Sequence, residues 1–278
     1  MTRAGDALIG LQRMLAAATA SAALDAEVLL AEVLGCSRSE LAARSERELS
    51  RAQSQRLETL AQRRLAGEPV AYLTGRREFW SLDLEVNRDV LVPRPETELL
   101  VDLALASLRD IARPEVLDLG TGSGAIALAI ASERPDALVT AVDASGPALT
   151  VAARNAARLG VGNVRCLQGS WYGAVVTQRF HAIVANPPYV ADDDPHLATL
   201  AHEPRSALVA GPQGLDALTT ICAGAVSHLH DPGVVIVEHG SAQGPAVRAL
   251  FAANRLSRIE TFDDLAGLPR ATRGTHGQ

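Results

Sequence analysis

A chain of 278 residues, 47% of them hydrophobic, is long enough for one large domain or for a core domain with a smaller companion. The formal net charge is −6, every basic residue is Arg and no basic tract occurs, which argues against a nonspecific grip on nucleic acid. No apolar run reaches membrane-spanning length, no secretory apolar region opens the chain, and Cys36, Cys166 and Cys222 are too widely spaced for a disulfide framework or a zinc site; a soluble, cytoplasmic protein without a metal centre is expected.

Residues 1–74 read as a small helical bundle. Leu24, Val28, Leu30, Ala31 and Leu34 give an amphipathic helix that Gly35 stops. Ser37-Arg-Ser-Glu40 has the form of a capping box for a second helix, and Ser50-Arg-Ala-Gln53 opens a third that carries Leu57, Leu60 and Leu65. Residues 75–92 read as a β-hairpin linker, on the period-two alternation of Leu82, Leu84 and Val86. Residues 93–278 form the larger domain, opened by a helix from Glu96 to Leu108 with Pro95 in its first turn. Strand and helix then alternate: Val116–Leu119, Ala125–Ser132, Ala137–Val142, Pro147–Leu159, Val164–Leu167, Ala182–Ala185, Leu215–Leu229 and Val234–Glu238. That order predicts an α/β fold with a doubly wound, mostly parallel sheet, in which ligands lie off the strand C-termini. Residues 190–214 show no periodicity and are either a solvated connector or a lid.

Three motifs sit at those strand ends. Gly120-Thr-Gly-Ser-Gly124 lies between a buried strand and a helix, where glycines admit close backbone approach and the helix N-terminus offers free N–H groups. Asp143 ends the next strand, a spacing that suits a carboxylate accepting ribose hydroxyls. A dinucleotide loop is one reading; the G-x-G-x-G spacing leans toward S-adenosylmethionine. Asn186-Pro187-Pro188-Tyr189 ends a third strand. Its prolines remove two donors and favour extended geometry, so the Asn186 side-chain oxygen and the Pro187 carbonyl are free to accept the two N–H groups of a substrate NH2, with the Tyr189 ring against the flat group that carries it. The plainer reading of Asn-Pro-Pro is a turn. Asp118 is open to two roles, an acceptor that stabilises the loop or a direct contact to the cofactor's amino group.

Together, Asp118 to Gly124, Asp143 and Asn186 to Tyr189 resemble the class I S-adenosylmethionine-dependent methyltransferases that alkylate NH2 groups. Val92-Pro-Arg-Pro-Glu-Thr-Glu98, Gly75-Arg-Arg-Glu-Phe-Trp-Ser81, Glu203-Pro-Arg-Ser-Ala-Leu208 and Glu238-His-Gly240 narrow the resemblance to the bacterial release-factor glutamine N5-methyltransferases. This likeness implies a class I methyltransferase domain over 93–278 and a monomer. Its implied reaction consumes S-adenosyl-L-methionine, yields S-adenosyl-L-homocysteine and methylates the glutamine of the Gly-Gly-Gln loop in class I peptide-chain release factors, with no direct nucleic-acid contact. Gly120, Thr121, Gly122, Ser123, Gly124, Asp143, Trp171 and Asn186 would hold the cofactor, and Asn186, Pro187, Pro188 and Tyr189 the substrate and the chemistry. The chain departs from the family's pattern at Ser170, where Asp is usual, and at Ala201-His202, where Arg-Phe is usual. Competing readings are methylation of a ribosomal-protein glutamine or a nucleic-acid base, and a catalytically silent binding protein. No histidine is assigned a catalytic role; His228 and His230 read as surface residues near a helix end.

Overall fold

The computed structural model describes residues 2–277. One compact unit ends at Arg76 and a second begins at Arg77. The first contains α1 (Ala4–Leu15), α2 (Ala22–Leu34), α3 (Arg51–Leu65) and α4 (Val70–Thr74). Gly35 ends α2 in the left-handed region at φ 61°, and Ser50 caps α3 in a reciprocal box with Gln53. Leu11, Leu15, Leu29, Leu30, Leu57 and Leu60 close its core. The Ser37–Glu40 box starts only a 3-10 turn, Arg38–Glu40, followed by another at Ala42–Arg44. Of this stretch only Leu41 is buried, so no apolar stripe holds a longer helix there.

A hairpin begins at the boundary of the two units, β1 (Arg76–Phe79) and β2 (Leu82–Glu85), and its turn residues Trp80 and Ser81 both take positive φ, as a tight hairpin requires. Phe79 and Leu84 pack into the same apolar core as Leu100, Ile126 and Leu128. The hairpin is therefore an integral layer of the second unit. A 3-10 turn at Pro95–Thr97 leads into α5 (Glu98–Ser107), so the helix forms two residues later than its proline signal suggested. There follow β3 (Glu115–Leu119), α6 (Ala125–Glu133), β4 (Leu138–Asp143), α7 (Gly146–Leu159), β5 (Val164–Gln168), β6 (Phe180–Ala185), α8 (Asp216–His228), β7 (Leu229–Glu238), α9 (Gly244–Ala253), β8 (Ser257–Asp263) and β9 (Pro269–His276).

The sheet runs β5-β4-β3-β6-β7-β9-β8. Strands β3 to β7 are parallel, while β9 pairs antiparallel with β7 and with β8. Alternate residues of the central strands serve opposite faces, as the pleat requires. Val116, Ala182, Val184 and Ile236 pack with α5 and α6, whereas Leu117, Ile183, Val235 and Val237 pack with Leu218 and Ile221 of α8 and Phe251 of α9. The chain leaves β3 toward β4 and returns to β6 on β3's other side. That reversal is the topological switch point, between β3 and β6.

Candidate active site

Register places the motif residues in one row. Leu119 pairs with Val142 on one side and with Ala185 on the other, and Ala185 pairs with Val237. The next residue of each strand is therefore Asp143, Gly120, Asn186 and Glu238 in turn, all at the C-terminal edge beside the switch point. Between them opens a cavity of about 230 Å³. Its lining includes Gly120 to Ser123, Asp143, Ser170, Trp171, Thr97, Asn186 and Pro188.

The glycine loop lies against this cavity, with no side chain on Gly120 or Gly122 to fill it. Gly120, Gly122 and Gly124 all take positive φ. A Cβ on Gly122 would meet nothing within 4 Å, because that position opens into the cavity, whereas one on Gly124 would press Leu128 Cδ1 at 3.0 Å and Ala152 Cβ at 3.3 Å. One glycine thus serves the ligand side and the other the packing side of a single turn. Asp143 accepts from Gly122 N–H at 2.9 Å and Ser145 N–H at 2.8 Å, which ties β4 to the loop. Asp118 lies beneath the loop, fully buried and outside the cavity lining; its Oδ2 accepts from the Thr121 hydroxyl at 2.6 Å and from Ala127 N–H at 3.2 Å. Of its two expected roles, the geometry favours the loop-stabilising one. Side-chain-free glycines, a helix N-terminus and a flanking carboxylate and indole together suit the methionine, ribose and base portions of S-adenosyl-L-methionine.

The Asn186 turn is pinned from behind. Asn186 Nδ2 donates to Thr97 Oγ1 at 3.0 Å, the Thr97 hydroxyl donates to Glu238 Oε2 at 2.6 Å, and the Tyr189 hydroxyl donates to Glu238 Oε1 at 3.1 Å. Thr97 and Glu238 are buried. Burial pushes the Glu238 carboxyl above the usual range, while the bonds from Thr97 and Tyr189 and the nearby Arg270 pull it back. Tyr189 turns its hydroxyl inward to Glu238, and neither its side chain nor the buried ring of Pro187 lines the cavity. Neither Thr97 nor Glu238 was assigned a role from sequence. The available signal was an acid ending an apolar strand, the same pattern that singled out Asp143.

Residues 190–214 fold back over this edge. Val190 N–H donates to Leu208 O, Ala210 N–H donates to Val190 O, and Tyr189 O accepts from Gln243 Nε2 at 3.1 Å. Glu203 is buried, accepting from Val92 N–H at 3.0 Å and pairing with Arg94. Through that clasp Pro204, Ser206 and Ala207 stand opposite Asp89, Val90 and Leu91 as cavity walls. The segment thus contributes one wall of the cavity.

Two family models match the chain, the PrmC N-terminal domain over residues 6–75 and the methyltransferase small domain over 96–211. A release factor glutamine methyltransferase of Burkholderia pseudomallei is 50% identical over 260 residues, covering 91% of each chain. The chain belongs to the release factor glutamine methyltransferase family. The Escherichia coli member is 45% identical over 257 residues, 91% of this chain and 92% of that one. Among solved structures, a T. thermophilus 16S rRNA methyltransferase in complex with AdoMet and guanosine superposes with a TM-score of 0.55 at 18% identity, over 72% of this chain and 49% of that one, a likeness of fold.

Within the family frame, Ser170 lines the cavity beside Trp171, whose φ of 49° turns the backbone sharply there. No histidine is among the residues that line the cavity. His239, without an evident partner in the sequence, is fully buried; Nε2 lies 2.8 Å from Thr272 Oγ1 and Nδ1 2.9 Å from Gly240 O, and burial lowers its pKa. His228 ends α8 with Nδ1 2.9 Å from Gly224 O, but His230 lies on β7, with Nε2 2.8 Å from Glu115 Oε2. Among the described residues Glu115, His181 and His230 have the mutual spacing of metal ligands, at the sheet edge remote from the cavity. His181 Nδ1 accepts from Glu115 N–H at 3.0 Å, which fixes its proton on Nε2 and leaves that nitrogen no lone pair for a cation.

Proposed function

We propose that this chain transfers a methyl group from S-adenosyl-L-methionine to the side-chain amide nitrogen (N5) of the glutamine in the Gly-Gly-Gln loop of class I peptide-chain release factors, acting as a cytoplasmic monomer without direct nucleic-acid contact. When bound, S-adenosyl-L-methionine supplies a methyl group activated by its sulfonium. Gly120 to Gly124 hold the methionine end with backbone, Asp143 the ribose, and Trp171 the adenine. Asn186 Oδ1 and the Pro187 carbonyl accept the two N–H groups of the substrate amide, drawing electron density toward a nitrogen whose lone pair is delocalised and stabilising the positive charge that develops on it. Pro188 and Tyr189 shape the turn that aims those acceptors. No strong base is needed, because the methylated nitrogen is acidic enough to release its proton to water.

The observation that carries this reading is the Asn186 amide itself. It stands at the cavity wall one strand from the glycine loop, with its NH2 taken up by Thr97, so the oxygen is the group left for a substrate. Asn186→Ala is expected to slow single-turnover methylation of a release factor by on the order of 10²-fold while S-adenosyl-L-methionine affinity, read by calorimetry, stays close to wild type. A near-normal single-turnover rate would remove Asn186 from the chemistry.

A further inference from the structure

One carboxylate holds both ends of the Asn186–Tyr189 turn. Glu238 Oε1 takes the Tyr189 hydroxyl directly, and Oε2 reaches Asn186 through Thr97. We infer that Glu238 and Thr97 are positioning residues that fix which way the Asn186 amide faces, so that its oxygen and not its NH2 is presented to the substrate. This rests on the role given to Asn186 above.

Counting donors fixes the direction of each bond. Tyr189, which takes a hydrogen bond from Arg270, gives its own proton to Glu238 Oε1, and the 2.6 Å separation of Thr97 Oγ1 from Oε2 is that of a hydroxyl donating to a carboxylate, so the single Thr97 proton is committed to Glu238. Thr97 Oγ1 then has only lone pairs to offer Asn186, and an amide satisfies a lone pair solely with its NH2. The orientation of a catalytic amide is thereby dictated by a charge two hydrogen bonds away. Were position 238 a neutral donor, the chain of bonds would run backward: Thr97 would accept from 238 and donate to Asn186, turning the amide NH2 toward a substrate NH2. Glu238 is only 1% exposed, so water does not reach the carboxylate end of the chain. Register explains why Glu238 is the residue that does this. Ala185 and Val237 are paired, so Asn186 and Glu238 leave adjacent parallel strands side by side, and the 3-10 turn at Pro95–Thr97 drops Thr97 between them.

The test compares Thr97→Val, Thr97→Ser and Glu238→Gln in single-turnover methylation of a release factor, with calorimetry of S-adenosyl-L-methionine and thermal unfolding as controls. Thr97→Val is expected to slow methyl transfer about tenfold with cofactor affinity unchanged, and Thr97→Ser to recover most of that loss. Glu238→Gln keeps the volume but replaces one of two acceptors by a donor; the Tyr189 hydroxyl, which already takes a bond from Arg270, needs the amide oxygen, so the NH2 falls to Thr97 and reverses the chain, and the variant should be as slow as Asn186→Ala. A merely structural role would tolerate it. In an Asn186→Ala background Thr97→Val should cost nothing further. A fast Glu238→Gln enzyme overturns the inference, as do losses that multiply in the double variant. Should Thr97→Val not fold, the isosteric Glu238→Gln and the Thr97→Ser rescue of a folded Thr97→Ala decide in its place. If Asn186→Ala itself is fast, the reading of the site fails; if Asn186→Ala is slow while Glu238→Gln is fast, only this inference does.

Discussion

Burial pushes the Asp118 carboxyl up to about 7, against the pull of its bonds from Thr121 and Ala127 and with a further push from Asp143. Its folded pKa therefore lies above its unfolded value, and the folded state binds the extra proton between the two. Stability from this group is present at low pH and is lost as pH rises toward 7, the reverse of an ion-paired carboxylate. Asp118 Oδ1 is buried without a partner, which is where a proton is best carried. Asp118→Asn, a neutral isostere, is expected to flatten the fall in urea-unfolding stability between pH 5 and pH 8; an unchanged slope would exclude Asp118 as its source. At the cavity, Ser170 offers a hydroxyl where the family usually has a carboxylate. Because charge-assisted bonds are about twice as strong, Ser170→Asp should tighten S-adenosyl-L-methionine binding by about 1 kcal/mol after desolvation. Weaker or equal binding, with the fold intact, would take adenine away from this corner and from Trp171.

At the scale of elements, one buried side chain joins three of them. Asn155 of α7 accepts from Glu85 N–H at 2.7 Å and donates to Glu85 O at 3.0 Å and Ser123 O at 2.9 Å, so it stitches β2 to the glycine loop. Asn155→Leu strands those backbone groups and is expected to cost about 2–3 kcal/mol in denaturant unfolding and to loosen cofactor binding through Ser123. A change under about 0.5 kcal/mol would mean that water replaces the amide. The parallel core was legible because its strands are buried on both faces and so appear as short apolar runs; β3 shows this with Val116, Leu117 and Leu119. The C-terminal pair was not. Ser257–Asp263 and Pro269–His276 carry few apolar residues, and they become strands because β7 offers a pairing edge. The site divides the same way. Gly120, Asp143 and Asn186 could be read because each follows such a run, whereas Thr97, Asn186 and Glu238 meet only through register across 89 and 141 positions. The inward turn of the Tyr189 hydroxyl depends on that same meeting.

For the whole molecule, the parts agree on one task. A parallel sheet brings four strand ends into one row, two of them carry the glycine loop and Asp143, and the others supply the Asn186 amide and the Glu238 carboxylate behind it. The first unit, which the PrmC N-terminal model matches, has its own core. A glutamine on a loop offers little surface, so discrimination among protein substrates must draw on contacts away from the chemistry. The central claim is the acceptor atom. Incubating the protein and S-adenosyl-L-methionine with a class I release factor, then sequencing the Gly-Gly-Gln peptide by fragmentation mass spectrometry, tests it directly. The account predicts a single added methyl on that glutamine's side chain, absent when the glutamine is exchanged for glutamate; a methyl elsewhere, or an unmodified peptide under conditions where calorimetry shows the donor bound, would contradict it.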